Sequence, residues 1–258
     1  MFGNELPLDS SESANPPKFR EHYFLGSTFR MPPIPQNPTS GDSTRERILM
    51  EAGPIFAGKG FRATTVREIC EQANVNVASI NYYFGDKRQL YHQTVVLARE
   101  MRVEQVPEPN WDASTDPEQK LLDFITLILR RLVAMQNEPW QVRLLMREIL
   151  EPTETCKHLV EEYFRPFFNT LCGIIDDIVG YRLPEPTRNK IGFSIIGQCL
   201  YYRFSAEMTR LMIEQQDYVD QYDLDNLAQH IYLFSLGGLK HYQTLDELAL
   251  KDAKPADH

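Results

Sequence analysis

Residues 44–91 read TRERILMEAGPIFAGKGFRATTVREICEQANVNVASINYYFGDKRQLY, and this stretch decides the fold. Helix starts punctuate it. Ser43-Thr44-Arg45-Glu46 and Thr65-Val66-Arg67-Glu68 both fit the capping box. In that motif a hydroxyl accepts from the amide three residues on, and the Glu carboxylate accepts from the capping residue's own amide. Asp86-Lys87-Arg88-Gln89 repeats the pattern. Gly60 stops the first helix, and Phe61 returns an apolar side chain towards the core. Inward stripes at helical spacing follow: Ile48, Ala52, Ile55 and Phe56; then Val66, Ile69 and Ala73; then Val75, Ile80 and Phe84. Asn74 lies between the second and third helices, where a tight turn needs a residue that tolerates the left-handed region. The third helix, Asn76 to Tyr83, is too short to be stable alone. Small residues and polar ones near its start suit it to a DNA major groove. Gly53-Pro54 interrupts this regularity, because an interior proline costs a helix about 3 kcal/mol. A kink is expected there.

Working outward, charge marks the same stretch. The chain carries a net −9, divided as −2 over residues 1–42, +3 over 43–102 and −10 over 103–258. Phosphate affinity depends on local charge, so the one basic island is the place for nucleic acid, and an acidic remainder keeps the other surfaces away. A composition of 42% apolar and 24% charged residues is that of a soluble globular chain. No apolar run of membrane-spanning length and no secretory leader is read, so a cytoplasmic protein with no membrane partner is expected. Cys70, Cys156, Cys172 and Cys199 form no CxxC pair and read as reduced thiols, with Cys172 or Cys199 open as a redox switch.

The expected architecture is all-α. Residues 1–42, rich in proline, read as a disordered or extended arm, and Lys18 to Arg30 within it as a basic aromatic segment. A three-helix DNA-binding domain follows over 43–91, then a helical effector-binding and dimerisation domain over 92–250, then a flexible tail over 251–258. Helices are predicted over 43–59, 65–73, 76–83, 86–103, 117–137, 139–150, 154–180, 186–214 and 223–243. Breaks fall at Pro107, Pro109, Pro139, Pro152 and the run Gly180 to Pro186.

On the motifs of residues 44–91, the chain resembles the TetR family of transcription regulators. Leu144 to Thr153 (LLMREILEPT) is similar to its CecR-like subgroup. The resemblance implies a helix-turn-helix reading double-stranded operator DNA. Thr65 would cap the second helix and bond a phosphate, and Arg67 would reach a base or phosphate. Asn76, Val77, Ala78 and Ser79 would open the reading helix against base edges. Asn81 would read adenine through its amide, Tyr82 and Tyr83 would lie along the backbone, and Lys87 would pair with a phosphate. Val77 and Ala78 suit thymine methyl groups or shape readout.

The same resemblance implies a homodimer, repression of a pseudo-palindromic operator, and release by a small apolar effector. Phe193, Ile196, Leu200 and Phe204, with Leu227, Ile231, Phe234 and Leu239, would form the dimer helices. Gly192, Gly197, Gly237 and Gly238 would permit their close approach. Trp140, Arg147, Phe164, Phe168, Gln198, Tyr201 and Tyr202 are the candidate effector lining. Glu148 and Arg203 stand beside them, though Arg147 and Glu148 also fit a structural ion pair. No HExxH, GxSxG, phosphate loop or Cys/His cluster occurs in the sequence, so neither metal, cofactor nor catalysis is expected. Two alternatives stay open: a helical half that only dimerises, and a helical enzyme or carrier built on the apolar cavity.

Overall fold

A computed structural model describes residues 40–132, 139–216 and 222–252, with side chains over 43–132, 139–216 and 222–244. Among them the elements are α1 (Ser40–Ala63), α2 (Val66–Ala73), α3 (Val77–Phe84), α4 (Lys87–Gln105), α5 (Pro117–Leu132) and α6 (Trp140–Leu150). Then come α7 (Glu154–Leu159), a π-turn (Val160–Phe164), α8 (Arg165–Val179), α9 (Glu185–Phe204), α10 (Ala206–Met212) and α11 (Leu224–Asp252). No strand occurs among the described residues. The arm over 1–39, with its Lys18 to Arg30 segment, and residues 253–258 lie outside them.

Several boundaries differ from expectation, each for a local reason. α1 starts at Ser40, so Ser43 lies inside the helix and not at its cap. Gly53-Pro54 does not break α1; the non-helical dihedrals fall at Gly60 (φ 79°, ψ 170°). Pro54 is exposed, and Gly53 is buried because another helix needs the space. The predicted helix over 154–180 contains the π-turn. Pro166 has no N–H, and its ring would collide with the carbonyl four residues earlier, so the turn widens before it. There the Arg165 amide donates five residues back to Val160. The predicted helix over 186–214 divides at Ser205 (φ −105°, ψ 14°), whose amide closes α9 on the Tyr201 carbonyl.

Two cores result. Ile48, Phe56, Ile69, Ile80, Leu90 and Tyr91 anchor a head core that also recruits Leu144 of α6 and Leu159 of α7. Leu121, Phe124, Ile125, Leu171, Ile175 and Ile231 anchor a body core of α5, α8, α9 and α11. The expected boundary at 91/92 falls inside α4, which passes from one core towards the other. α6 packs on α1 and α4, so it belongs spatially to the head although it follows α5 in the chain.

Candidate nucleic-acid interface

α2, α3 and α4 each start at a side-chain cap. Thr65 Oγ1 accepts from the Glu68 amide at 3.2 Å. Glu68 does not complete the box. Its carboxylate accepts instead from Lys59 Nζ, binding the start of α2 to α1. Asn74 takes the left-handed turn (φ 50°, ψ 53°), and the following Val75 amide donates to the Cys70 carbonyl at 3.0 Å. Asn76 Oδ1 then accepts from the Ser79 amide at 2.9 Å and from Ser79 Oγ at 3.1 Å. Asp86 does the same for α4, accepting from the Gln89 amide at 2.8 Å.

These caps fix which side of α3 meets solvent. Ile80 and Phe84 are buried, and Tyr83 packs partly against the head core. Ala78 and Asn81 are exposed, Val77 is 49% exposed and Tyr82 82%. The predicted set therefore divides. Asn76 and Ser79 engage their oxygens in the cap, while Val77, Ala78, Asn81 and Tyr82 project outward. Tyr82 meets Tyr83 edge-on at 4.9 Å between centroids.

Arg67, 88% exposed, is tethered to Glu71 at 2.9 Å on the surface of α2. Lys87 sits 4.6 Å from the Phe61 ring centroid and donates to the Arg62 carbonyl at 3.5 Å. Partial burial lowers its pKa. It therefore joins the end of α1 to the start of α4. Arg45 pins α1 to α4 through Gln93 Oε1 at 2.6 Å and lies 5.7 Å from the Phe84 centroid.

The seven candidate lining residues do not come together. Trp140 lies on Gly53, where a Cβ would stand 2.4 Å from the indole. Arg147 donates to the Gly58 carbonyl at 3.2 Å and pairs with Glu151 at 3.3 Å. Both side chains join α6 to α1. Phe168 stacks on Phe193 at 4.6 Å, and Phe164 is exposed. Gln198 lies 3.5 Å from Ser235 Oγ, Tyr201 is exposed, and Tyr202 packs towards Tyr222. Beside the first pair, Glu148 is fully buried. Its carboxylate accepts from Tyr91 Oη and, at 3.0 Å, from Thr153 Oγ1. Burial and this carboxylate push the Tyr91 phenol up. The four cysteines are free, and burial pushes the Cys199 thiol up to about 12.

Sequence reasoning missed Arg102 as an interior residue, although a signal was present. It continues the buried register Tyr91, Thr94, Val95 and Ala98 of α4. Among the described residues no group of three His, Cys, Asp or Glu is placed to hold a metal ion, and no helix is long and apolar enough to cross a membrane.

Residues 48–94 match the family of bacterial regulatory proteins, tetR family. Residues 117–239 match the C-terminal domain of the HTH-type transcriptional dual regulator CecR. The chain is 31% identical over 121 residues to YttP of Bacillus subtilis (strain 168), a "Probable HTH-type transcriptional regulator". That match covers 47% of this chain and spans 58% of YttP. It is 25% identical over 176 residues to CecR of Shigella flexneri, covering 65% of this chain and 78% of CecR. In fold it is similar to a TetR-like transcriptional regulator from Rhodococcus sp. RHA1. The TM-score is 0.56 at 15% identity, over 76% of this chain and 96% of that one.

Proposed function

We propose, on the premise that this chain belongs to the TetR family of transcription regulators, that it represses transcription as a homodimer on a pseudo-palindromic operator. A small effector releases it. One observation carries the reading: a capped α3 that buries Ile80 and Phe84 while presenting Val77, Ala78, Asn81 and Tyr82 within the net-positive residues 43–102. The exposed amide of Asn81 suits the N6/N7 edge of adenine, and Val77 and Ala78 suit thymine methyl groups. Thr65, Arg67 and Lys87 supply the phosphate contacts that set the register. Asn76, Ser79 and Tyr83 hold the reading helix in place.

The body supports the two-fold partner. Phe193, Gly197, Tyr201 and Phe204 form one exposed stripe along α9, and Leu233, Phe234 and Gly237 another along α11. Four such helices from two copies would bury both stripes. The pairing would set two reading helices about 34–36 Å apart, the spacing of successive major grooves. An effector bound in the body would have to prefer the form whose heads are wrongly spaced. α4, which runs from the head core towards the body, and α6, fixed to α1 by Trp140 and Arg147, are the elements through which that preference would reach the head. The protein acts in the cytoplasm, and no catalytic step enters this proposal.

Selection of binding sites from a pool of random duplexes tests it. Recovery of a pseudo-palindrome with half-sites about one helical turn apart is expected. Recovery of unenriched sequence would refute the regulator reading.

A further inference from the structure

Three guanidinium groups gather where α4, α5 and the start of α8 meet. Arg102 is only 9% exposed. Its Nη2 donates to the carbonyls of Arg130 at 2.8 Å and Arg131 at 2.9 Å, and its Nη1 to Gln105 at 2.9 Å. Its Nε is buried with no hydrogen-bond partner among the described residues. Arg131 donates from Nε to the Val106 carbonyl at 3.1 Å and lies 5.6 Å from the Phe167 centroid. Its Nη2 is likewise buried, with no hydrogen-bond partner among the described residues. Arg99 completes the group, 3.8 Å from the centroid of Tyr163.

Among the described residues their neutralisation is incomplete. Glu108 stands 3.6 Å from Arg131 and is largely exposed, and it is the carboxylate that Arg99 and Arg131 share. Arg99 also feels its neighbour Glu100, itself shared with Arg45. Burial lowers the pKa of Arg102. It does the same for Arg99 and Arg131, and Arg99 and Arg102 lower that of Arg131 further. The bonds from Arg102 to the end of α5 explain one cation as a helix cap. They do not explain two more beside it, because burying unpaired charge is costly. Vacant guanidinium donors next to aromatic rings match one ligand chemistry, an anionic head on an apolar body.

We propose that Arg99, Arg102 and Arg131 bind the effector's anionic head, a carboxylate or phosphate, with Tyr163 and Phe167 against its apolar body. This rests on the effector-released regulator proposed above and names the chemistry of its effector. An anion here would join α4, which continues into the head, to α5 and α8 of the body, so binding would act on the connection between the two.

The test uses the full chain, first shown to bind its selected operator. Octanoate, octyl phosphate, octanol, octylammonium and inorganic phosphate are added at constant ionic strength, and melting temperature and operator release are followed. Octanoate or octyl phosphate should stabilise the protein and release DNA, while octanol and octylammonium do neither. The stronger anion identifies the head group, and inorganic phosphate active alone would assign the site to the free ion. Arg131→Gln should weaken anion binding about tenfold or more, with partial rescue by Arg131→Lys. Where circular dichroism shows that variant unfolded, Arg99→Gln takes its place. Octanol as effective as octanoate, undiminished binding by the Gln variants, or no response to either anion while operator binding persists would overturn this inference and leave the regulator intact. Failure of the untreated wild type to bind any operator would instead be failure of the regulator reading.

Discussion

Asn81 and Arg67 stand for the two kinds of DNA contact proposed above. Asn81 projects a neutral amide from α3, whereas Arg67 offers charge from α2 and is held only by an exposed pair with Glu71. Asn81→Ala should change base preference at one position of each half-site, at a cost of about 1–3 kcal/mol for the preferred base. Arg67→Ala should weaken all sequences alike and reduce the salt slope by about 1. Site selection and anisotropy titrations on the variants distinguish these outcomes; identical behaviour would mean that α3 does not read bases. Within the head, the caps Thr65 and Asp86 were legible because capping is local chemistry, whereas Asn76, expected at base edges, caps α3 instead. The side-chain partners of Glu68 and Lys87 were not, since both lie across a turn on another helix. His92 was equally opaque. It packs on His158 with centroids 5.3 Å apart, and burial first, then His158, lowers its pKa from 6.5, with Glu162 opposing. A depressed folded pKa means stability present above pH 6.5 and lost as pH falls through the lowered value. His92→Gln should therefore flatten the fall in Tm on acidification, and a Tm–pH profile parallel to wild type would rule this out.

At the scale of elements, the α1–α6 contact is what the sequence hid. A glycine beside a proline reads as a break. Here Gly53 is a notch that admits Trp140, 87 positions away in the chain. No periodicity reports such a pairing, because periodicity describes one helix at a time. Gly53→Ala sets two effects against each other. In an ordinary helix interior the change gains about 0.5–1 kcal/mol. A Cβ 2.4 Å from the indole, however, overpacks the contact, at about 1–3 kcal/mol. The clash should win, giving net destabilisation in urea unfolding. Trp140→Ala in the same chain should restore the gain, so the two changes are non-additive. Additivity would mean that α6 does not rest on α1. Helix existence itself was read well, since stripes and prolines are local. The π-turn before Pro166 and the division at Ser205 were not, because both are adjustments within a continuous apolar pattern.

For the whole molecule, the distribution of charge and apolar surface is the main guide. A basic stretch within an acidic chain marks the head by composition alone, and the exposed stripes of α9 and α11 give the body its proposed partner. What remained illegible was the side-chain grouping proposed above as the anion site. Long-range packing scattered the seven candidates and drew three arginines together instead. Arg102 alone could have been read as interior from the buried register of α4; Arg99 and Arg131 each resemble an ordinary solvated charge. Phe234 is 69% exposed in the single chain. Phe234→Glu should yield monomers by light scattering and lose most operator affinity; a dimer of undiminished affinity would move the two-fold axis elsewhere. The most direct test of the central claim is the affinity of the full chain for its selected operator, against a scrambled duplex, measured over rising salt. Preference for the operator by at least about a thousandfold, with log affinity falling linearly in log salt, is the predicted result. Equal affinity for both duplexes, or affinity indifferent to salt, would contradict it.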